Sequence, residues 1–183
     1  MKHSDFHAVV VGALAKMDRA TGEKKYSGEA PEDLIMMTFM HESGGLKANR
    51  QVGGGPALGF GQMERATFND TFLNYLRYRP IHLKAVLSLL PAEDFNYDVI
   101  NSRLQKGFVE VSPEMLVECV AFAVGMTRIH YMRVSESLPN PAGKDREIYL
   151  KELASYAKKH YNRTGKATPE KYLQDYLANR AKW

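Results

Sequence analysis

Seven positions, Leu34 to Met40, carry six apolar side chains and one threonine. At helical pitch such a run has no polar face, so it folds only where neighbouring elements cover every side of it. Pro31 is placed to lie in the first turn of that helix, where its missing N–H costs nothing, and Gly44-Gly45 offers the glycines on which helices commonly end. The chain must therefore surround a central helix, and 183 residues with 44% hydrophobic content suffice for one such core and not for two. Glu42 follows the run directly. An apolar surround disfavours a charged carboxylate, so a glutamate delivered to this spot is a candidate proton donor, set against the plain alternative of a solvated helix-terminal side chain.

Further helices account for most of the remaining sequence. Phe6, Val10, Ala13 and Met17 recur at helical spacing and mark an amphipathic first helix. The pattern predicts helices over 67–76, 81–90 and 94–104, then a central helix over 115–129 after Pro113, with small residues suited to close packing. Residues 144–159 form another, and Thr168-Pro169 opens a last one with Thr168 as its cap. The stretch Gln51 to Pro56, with three consecutive glycines, predicts a loop or short hairpin. Strand alternation is scarce, so the expected class is mainly α, one domain over residues 1–183.

Lys and Arg total 25 against 21 Asp and Glu, a net charge of +4. The excess is spread thinly, without the basic stripe and interleaved aromatics of a nucleic-acid surface. No run approaches the ~20 apolar residues that cross a bilayer, so membrane insertion is not expected. Lys2-His3 ahead of the apolar run 8–15 imitates a secretory leader ending in Ala13-Leu14-Ala15, but Asp5, His7 and the helical spacing favour a folded helix over a signal peptide. Cys119, the single cysteine, is expected as a buried thiol, with no internal disulfide open to it.

Beyond Glu42 the segment Gly53-Gly54-Gly55-Pro56-Ala57-Leu58-Gly59-Phe60-Gly61-Gln62-Met63 joins glycines that permit close approach with one amide, Gln62, able both to donate and to accept. A sugar ring lying against backbone is served by that combination. The pair Glu42-Ser43, then Gly59-Phe60-Gly61-Gln62-Met63-Glu64-Arg65-Ala66-Thr67, then His160-Tyr161-Asn162 followed by Gly165, resembles the soluble lytic transglycosylases and their goose-type lysozyme relatives. That family carries Glu-Ser, a Gly-Leu-Met-Gln segment ending in Pro-x-Thr, and Ala-Tyr-Asn, in this order. The likeness spans about residues 34–168. It implies a lysozyme-like fold with the glycine-rich loop beside the cleft and Glu42 as catalytic acid and base. It also implies that Gln62, Tyr161 and Asn162 bind substrate and that Ser43 and Gly59 shape the same cleft. This chain departs from the pattern at Arg65, where the family has proline, at Gly61, where it has methionine, and at His160, Arg163 and Thr164 around Tyr-Asn. The glycine loop is also similar to small proteins encoded by bacteriophages, which implies a role in a virion or in lysis.

Most glycoside hydrolases use two carboxylates, and no clear second one is present here; Glu64 matches a family position without a catalytic role. The resemblance therefore implies transglycosylation on peptidoglycan glycan strands, with no cofactor and no metal. His41-Glu42 begins like a zinc-protease His-Glu-x-x-His, but the second histidine falls on Gly45, and the glycine run lacks the Lys-Ser or Lys-Thr of a phosphate-binding loop. The rival expectation is a structural virion protein that keeps the fold to grip glycan or neighbouring subunits. Tyr75, Tyr78 and Tyr97, within 71–115, are then candidate contacts with other virion proteins, set against a role as core aromatics. The expected location is a phage particle, or the host cytoplasm before release.

Overall fold

A computed structural model describes residues 2–91, 95–163 and 165–182, and among them the chain is mainly helical. The helices are α1 (His3–Thr21), α2 (Glu29–Glu42), α3 (Arg65–Asn74), α4 (Pro80–Leu87), α5 (Tyr97–Gln105), α6 (Met115–Glu118), α7 (Val120–Met132), α8 (Arg146–His160) and α9 (Pro169–Arg180). Two antiparallel dipeptides, β1 (Ala57–Leu58) and β2 (Met63–Glu64), form a short hairpin, and a 3-10 turn covers Leu76–Tyr78.

α2 is the buried helix that its apolar run demands, with every side chain from Leu34 to Met40 inside. Each large side chain fully buried this way contributes roughly 1.5–3 kcal/mol relative to exposure. Thr38, the polar member, spends its hydroxyl on the Leu34 carbonyl at 2.8 Å and on the Tyr131 hydroxyl at 2.7 Å, so no polar atom is stranded. α1 and α7 pack together and α4 packs against both; α9 closes over α2 and α8. One contiguous apolar cluster runs through these elements. Gly125 lets α4 and the segment just after it come close to α7, since a Cβ there would stand 2.4 Å from Leu89 Cδ1 and 3.2 Å from Val86 Cγ2. In α1, Phe6, Val10, Ala13 and Met17 all face this core, together with Leu14, so the N-terminal apolar segment belongs to the fold. No helix among the described residues is long and apolar enough to cross a membrane.

The structure corrects the sequence reading in several places. The central helix expected over 115–129 is broken: Cys119 is extended, with φ −124° and ψ 99°, and separates α6 from α7. Cys119 itself keeps both backbone groups bonded, its N–H donating to the Met115 carbonyl at 2.9 Å and its C=O accepting from Ala123 N–H at 3.0 Å. Its thiol is half-buried and 3.5 Å from the Leu89 carbonyl. The helix expected over 67–76 starts earlier, at Arg65, and ends at Asn74; the one expected over 81–90 ends at Leu87. Asp94, at the start of the next expected helix, lies outside the described residues, as does Thr164. α5 itself begins at Tyr97, where Asn96 accepts from the Asp98 and Val99 N–H groups at 2.9 and 3.2 Å. Of the three tyrosines considered as assembly contacts, Tyr75 turns inward and donates to the Met132 carbonyl at 3.0 Å. Tyr97 lines a small hollow beside Ala20 and Ile100, and Tyr78 is 62% exposed.

Candidate active site

α2 ends at Glu42 because the chain turns there. Ser43 N–H still bonds the Phe39 carbonyl at 3.1 Å, its hydroxyl donates to the same carbonyl at 2.6 Å and accepts from Leu46 N–H at 2.7 Å. Gly44 and Gly45 follow with positive φ. The serine is thus consumed in the turn. It is 2% exposed, borders the cleft, and acts by fixing where the neighbouring glutamate emerges.

Glu42, half-buried, opens onto a cleft of about 820 Å³ that is also lined by Ser43, Gln62, Tyr161 and Asn162. These side chains come from the end of α2, the turn between β1 and β2, and the segment after α8, up to 120 residues apart. Asn162 Nδ2 donates to Glu42 Oε1 at 3.4 Å. The carboxylate has a second, closer partner that the sequence motifs did not reveal, the Tyr172 hydroxyl of α9, which donates to the same oxygen at 2.5 Å. Among the described residues no hydrogen bond engages Oε2. Burial, with the Glu42 charge beside it, pushes the Tyr172 hydroxyl far above the ordinary tyrosine range, so it remains a donor at any pH at which the protein folds. The one signal for Tyr172 in the sequence is its spacing with Tyr176, four residues apart on the last helix.

Tyr161 caps α8 and stacks on Tyr131, with ring centroids 5.4 Å apart and planes at 29°. Its hydroxyl, raised by burial and by the Glu42 charge, donates to the Gly61 carbonyl at 2.6 Å. That bond explains the departure at Gly61. A Cβ there would lie 2.8 Å from the Tyr161 oxygen, 2.9 Å from Phe39 Cε1 and 2.9 Å from Thr127 Oγ1, so only glycine permits the closure. Asn162 is held from behind by Lys158, whose ammonium bonds the Asn162 carbonyl and, at 2.8 Å, that of Gly165.

Gln62 lines the cleft from a strained position, φ +46°, with its amide nitrogen turned back onto the Gly59 carbonyl at 2.8 Å; its side-chain oxygen is left as an acceptor. Gly59 is not part of the cleft surface. It is buried at φ +69°, and a Cβ would sit 2.5 Å from the Leu116 carbonyl, so it seats the loop on α6 and acts on the cleft at second hand.

The remaining lining residues include Lys47, Gln51, Val52, Glu64, Thr67, His130 and Arg163. Glu64 is exposed at the cleft edge. His130 stands edge-on to Tyr161 at 5.2 Å; burial, reinforced by Arg133, lowers its pKa to about 4, which leaves a neutral imidazole in the cleft near neutrality. Around Glu42 the lining thus combines neutral polar groups with two cations, Lys47 and Arg163, and a second carboxylate, Glu64, at the edge. No family model, no curated protein and no solved structure matches this chain, so the reading of its function rests on the cleft itself.

Proposed function

We propose that this chain is a lysozyme-like glycosidase of peptidoglycan, a lytic transglycosylase or muramidase acting between N-acetylmuramic acid and N-acetylglucosamine and carried in a phage particle. The observation that carries the reading is the meeting of Glu42, Gln62, Tyr161 and Asn162 around one cleft, with Asn162 on the Glu42 carboxyl. With Oε1 held by Tyr172 and Asn162, Oε2 is the oxygen that hands its proton to the glycosidic oxygen as the bond breaks and positive charge develops on the muramyl ring. The same carboxylate then takes the proton from the muramyl C6 hydroxyl, which closes a 1,6-anhydro ring on the anomeric carbon. One carboxyl group serves both steps, and proton transfer by a placed side chain is worth about 10²- to 10⁴-fold.

The test is solubilisation of purified peptidoglycan by the wild-type protein and by Glu42→Gln. Glu42→Gln is expected to fold and to lose at least about 10²-fold in rate. Anhydro-muramyl ends in the fragments, read by mass spectrometry, mark transglycosylation, whereas reducing ends mark hydrolysis. Equal inertness of both proteins favours the structural virion protein instead.

A further inference from the structure

The α2–α9 contact carries a second arrangement, centred on His41. Its ring lies on the Tyr172 ring, with centroids 3.8 Å apart and planes at 27°. Its Nδ1 is 2.8 Å from Asp175 Oδ2, and Lys171 holds the other Asp175 oxygen, Oδ1, at 2.5 Å. Only 12% of the His41 side chain and 20% of that of Asp175 are exposed, so the pair is shielded from the solvent that makes surface ion pairs weak.

The connectivity is reciprocal. α2 supplies His41 and, one residue later, Glu42; α9 supplies Tyr172 and, one turn later, Asp175. Tyr172 bonds the residue after His41, and Asp175 bonds His41 itself. A phenol aims its hydroxyl at one oxygen only if its ring plane is fixed. Here the stacked imidazole fixes that plane, and the carboxylate three residues along the same helix fixes the imidazole. The end of α2 cannot shift relative to α9 without breaking the His41–Tyr172 stack and the two hydrogen bonds, Tyr172 to Glu42 and His41 to Asp175, together.

We infer that His41 and Asp175 are positioning residues for Glu42, acting through Tyr172 to hold the carboxyl in the orientation from which it transfers its proton. This rests on the proposed glycosidase reading for its effect on rate, and on the geometry alone for its effect on Tyr172. A carboxyl misplaced by a fraction of an ångström still lies in the cleft, so substrate binding is retained while turnover suffers. Asp175→Ala frees the imidazole, whereas Asp175→Asn keeps an acceptor for the His41 N–H.

Two readouts are measured on wild type, Asp175→Ala and Asp175→Asn: kcat with KM on soluble glycan fragments, and exchange protection of the Tyr172 hydroxyl proton by NMR. Asp175→Ala is expected to lower kcat about 10-fold or more with KM within about twofold, and to lose the protected hydroxyl proton; Asp175→Asn restores most of both. The hydroxyl readout needs no turnover. A wild type inert on peptidoglycan would end the glycosidase reading, yet a proton protected in wild type and lost in Asp175→Ala would still support the clasp. If Asp175→Ala fails to fold, His41→Phe keeps a ring on Tyr172 without the link to Asp175 and is read in the same two ways. Unchanged kcat and unchanged hydroxyl protection in the folded variant would overturn the inference, whatever happens to its thermal stability.

Discussion

Along the side of the cleft that carries Glu42, position is set by side chains: Tyr172 and Asn162 on the carboxyl, Lys158 behind Asn162, Ser43 inside the turn. Along residues 49–62 it is set by backbone. There Gly59 N–H bonds the Asn49 carbonyl at 2.9 Å, Gln51 N–H bonds that of Ala57 at 3.2 Å, and Gly53, Gly54, Gly59 and Gln62 all take positive φ. Val52, at the tip, is 88% exposed. Side-chain hydrogen bonds in a half-buried setting hold a reacting group to fractions of an ångström. A glycine-rich loop gives shape and access with few fixed functional atoms. Under the proposed glycosidase reading, the contrast places the demand for precision at Glu42 and leaves the loop to accommodate a glycan strand.

The two regions touch at Gly61, and breaking that contact has the largest expected effect. Gly61→Met installs the residue the transglycosylase pattern carries, but the Tyr161 hydroxyl, Phe39 and Thr127 occupy the space of its Cβ. Overpacking of this kind costs about 1–3 kcal/mol, or a fall in Tm of roughly 3–10 °C for a chain of this size. Lytic activity should fall at least about 10-fold as Tyr161 is pushed off the Gly61 carbonyl. Calorimetry and a peptidoglycan turbidity assay check both. A stable, fully active Gly61→Met would mean that the two regions are not joined through Tyr161.

A smaller effect comes from pH, and it distinguishes the regions by location. His130 backs the side-chain region from α7, and its pKa is held down to about 4 by burial and then by Arg133. Between the ordinary histidine value of about 6.5 and this lowered value the unfolded chain binds the proton that the folded chain refuses. Stability therefore rises with pH across that window and is lost as pH falls through it. His82, also buried and at about 4, acts in the same direction from the core. Tm should drop by a few degrees from pH 6.5 to 4, with a shallower slope in His130→Gln. Hydrogen exchange should accelerate on acidification near residues 158–163 before it does over 49–62, where no histidine or carboxylate stands. Simultaneous acceleration in both stretches would make them one cooperative unit.

What was legible in the sequence follows the same division. The apolar run of α2, the spacing of Phe6, Val10, Ala13 and Met17, and the Thr168-Pro169 start of α9 all act within one or two helical turns, and local periodicity records such relations directly. Glu42, Gln62, Tyr161 and Asn162 were reachable because their order along the chain resembles that of the transglycosylase motifs. Tyr172 was not, since its partner is 130 residues away and a tyrosine at helical spacing reads as core. Gly61 was visible as a departure, while its reason, the Tyr161 hydroxyl 100 residues on, was not. The break at Cys119 also escaped. Its neighbours Val117, Glu118, Val120 and Ala121 include no glycine or proline, so no local breaker announces the break.

The departure at Arg65 gives the smallest expected effect and the sharpest check on the loop side. Arg65 is the first residue of α3, where an N–H has no helical partner and proline is well tolerated. The residue before it, Glu64, has φ −73° and ψ 148°, the extended conformation that precedes proline most easily. What Arg65 does make is an ion pair with Glu114, at the surface, and Arg50 shares the same carboxylate at 2.7 Å. Losing one of two exposed cations on one acid is nearly neutral because water and salt screen the pair. Arg65→Pro should therefore leave Tm within about 2 °C and the rate of wall solubilisation within about twofold. Arg65 also lies outside the residues that line the cleft. A tenfold loss of activity in a stable Arg65→Pro would make the guanidinium a substrate contact, and the loop side would then carry chemistry of its own instead of shape alone.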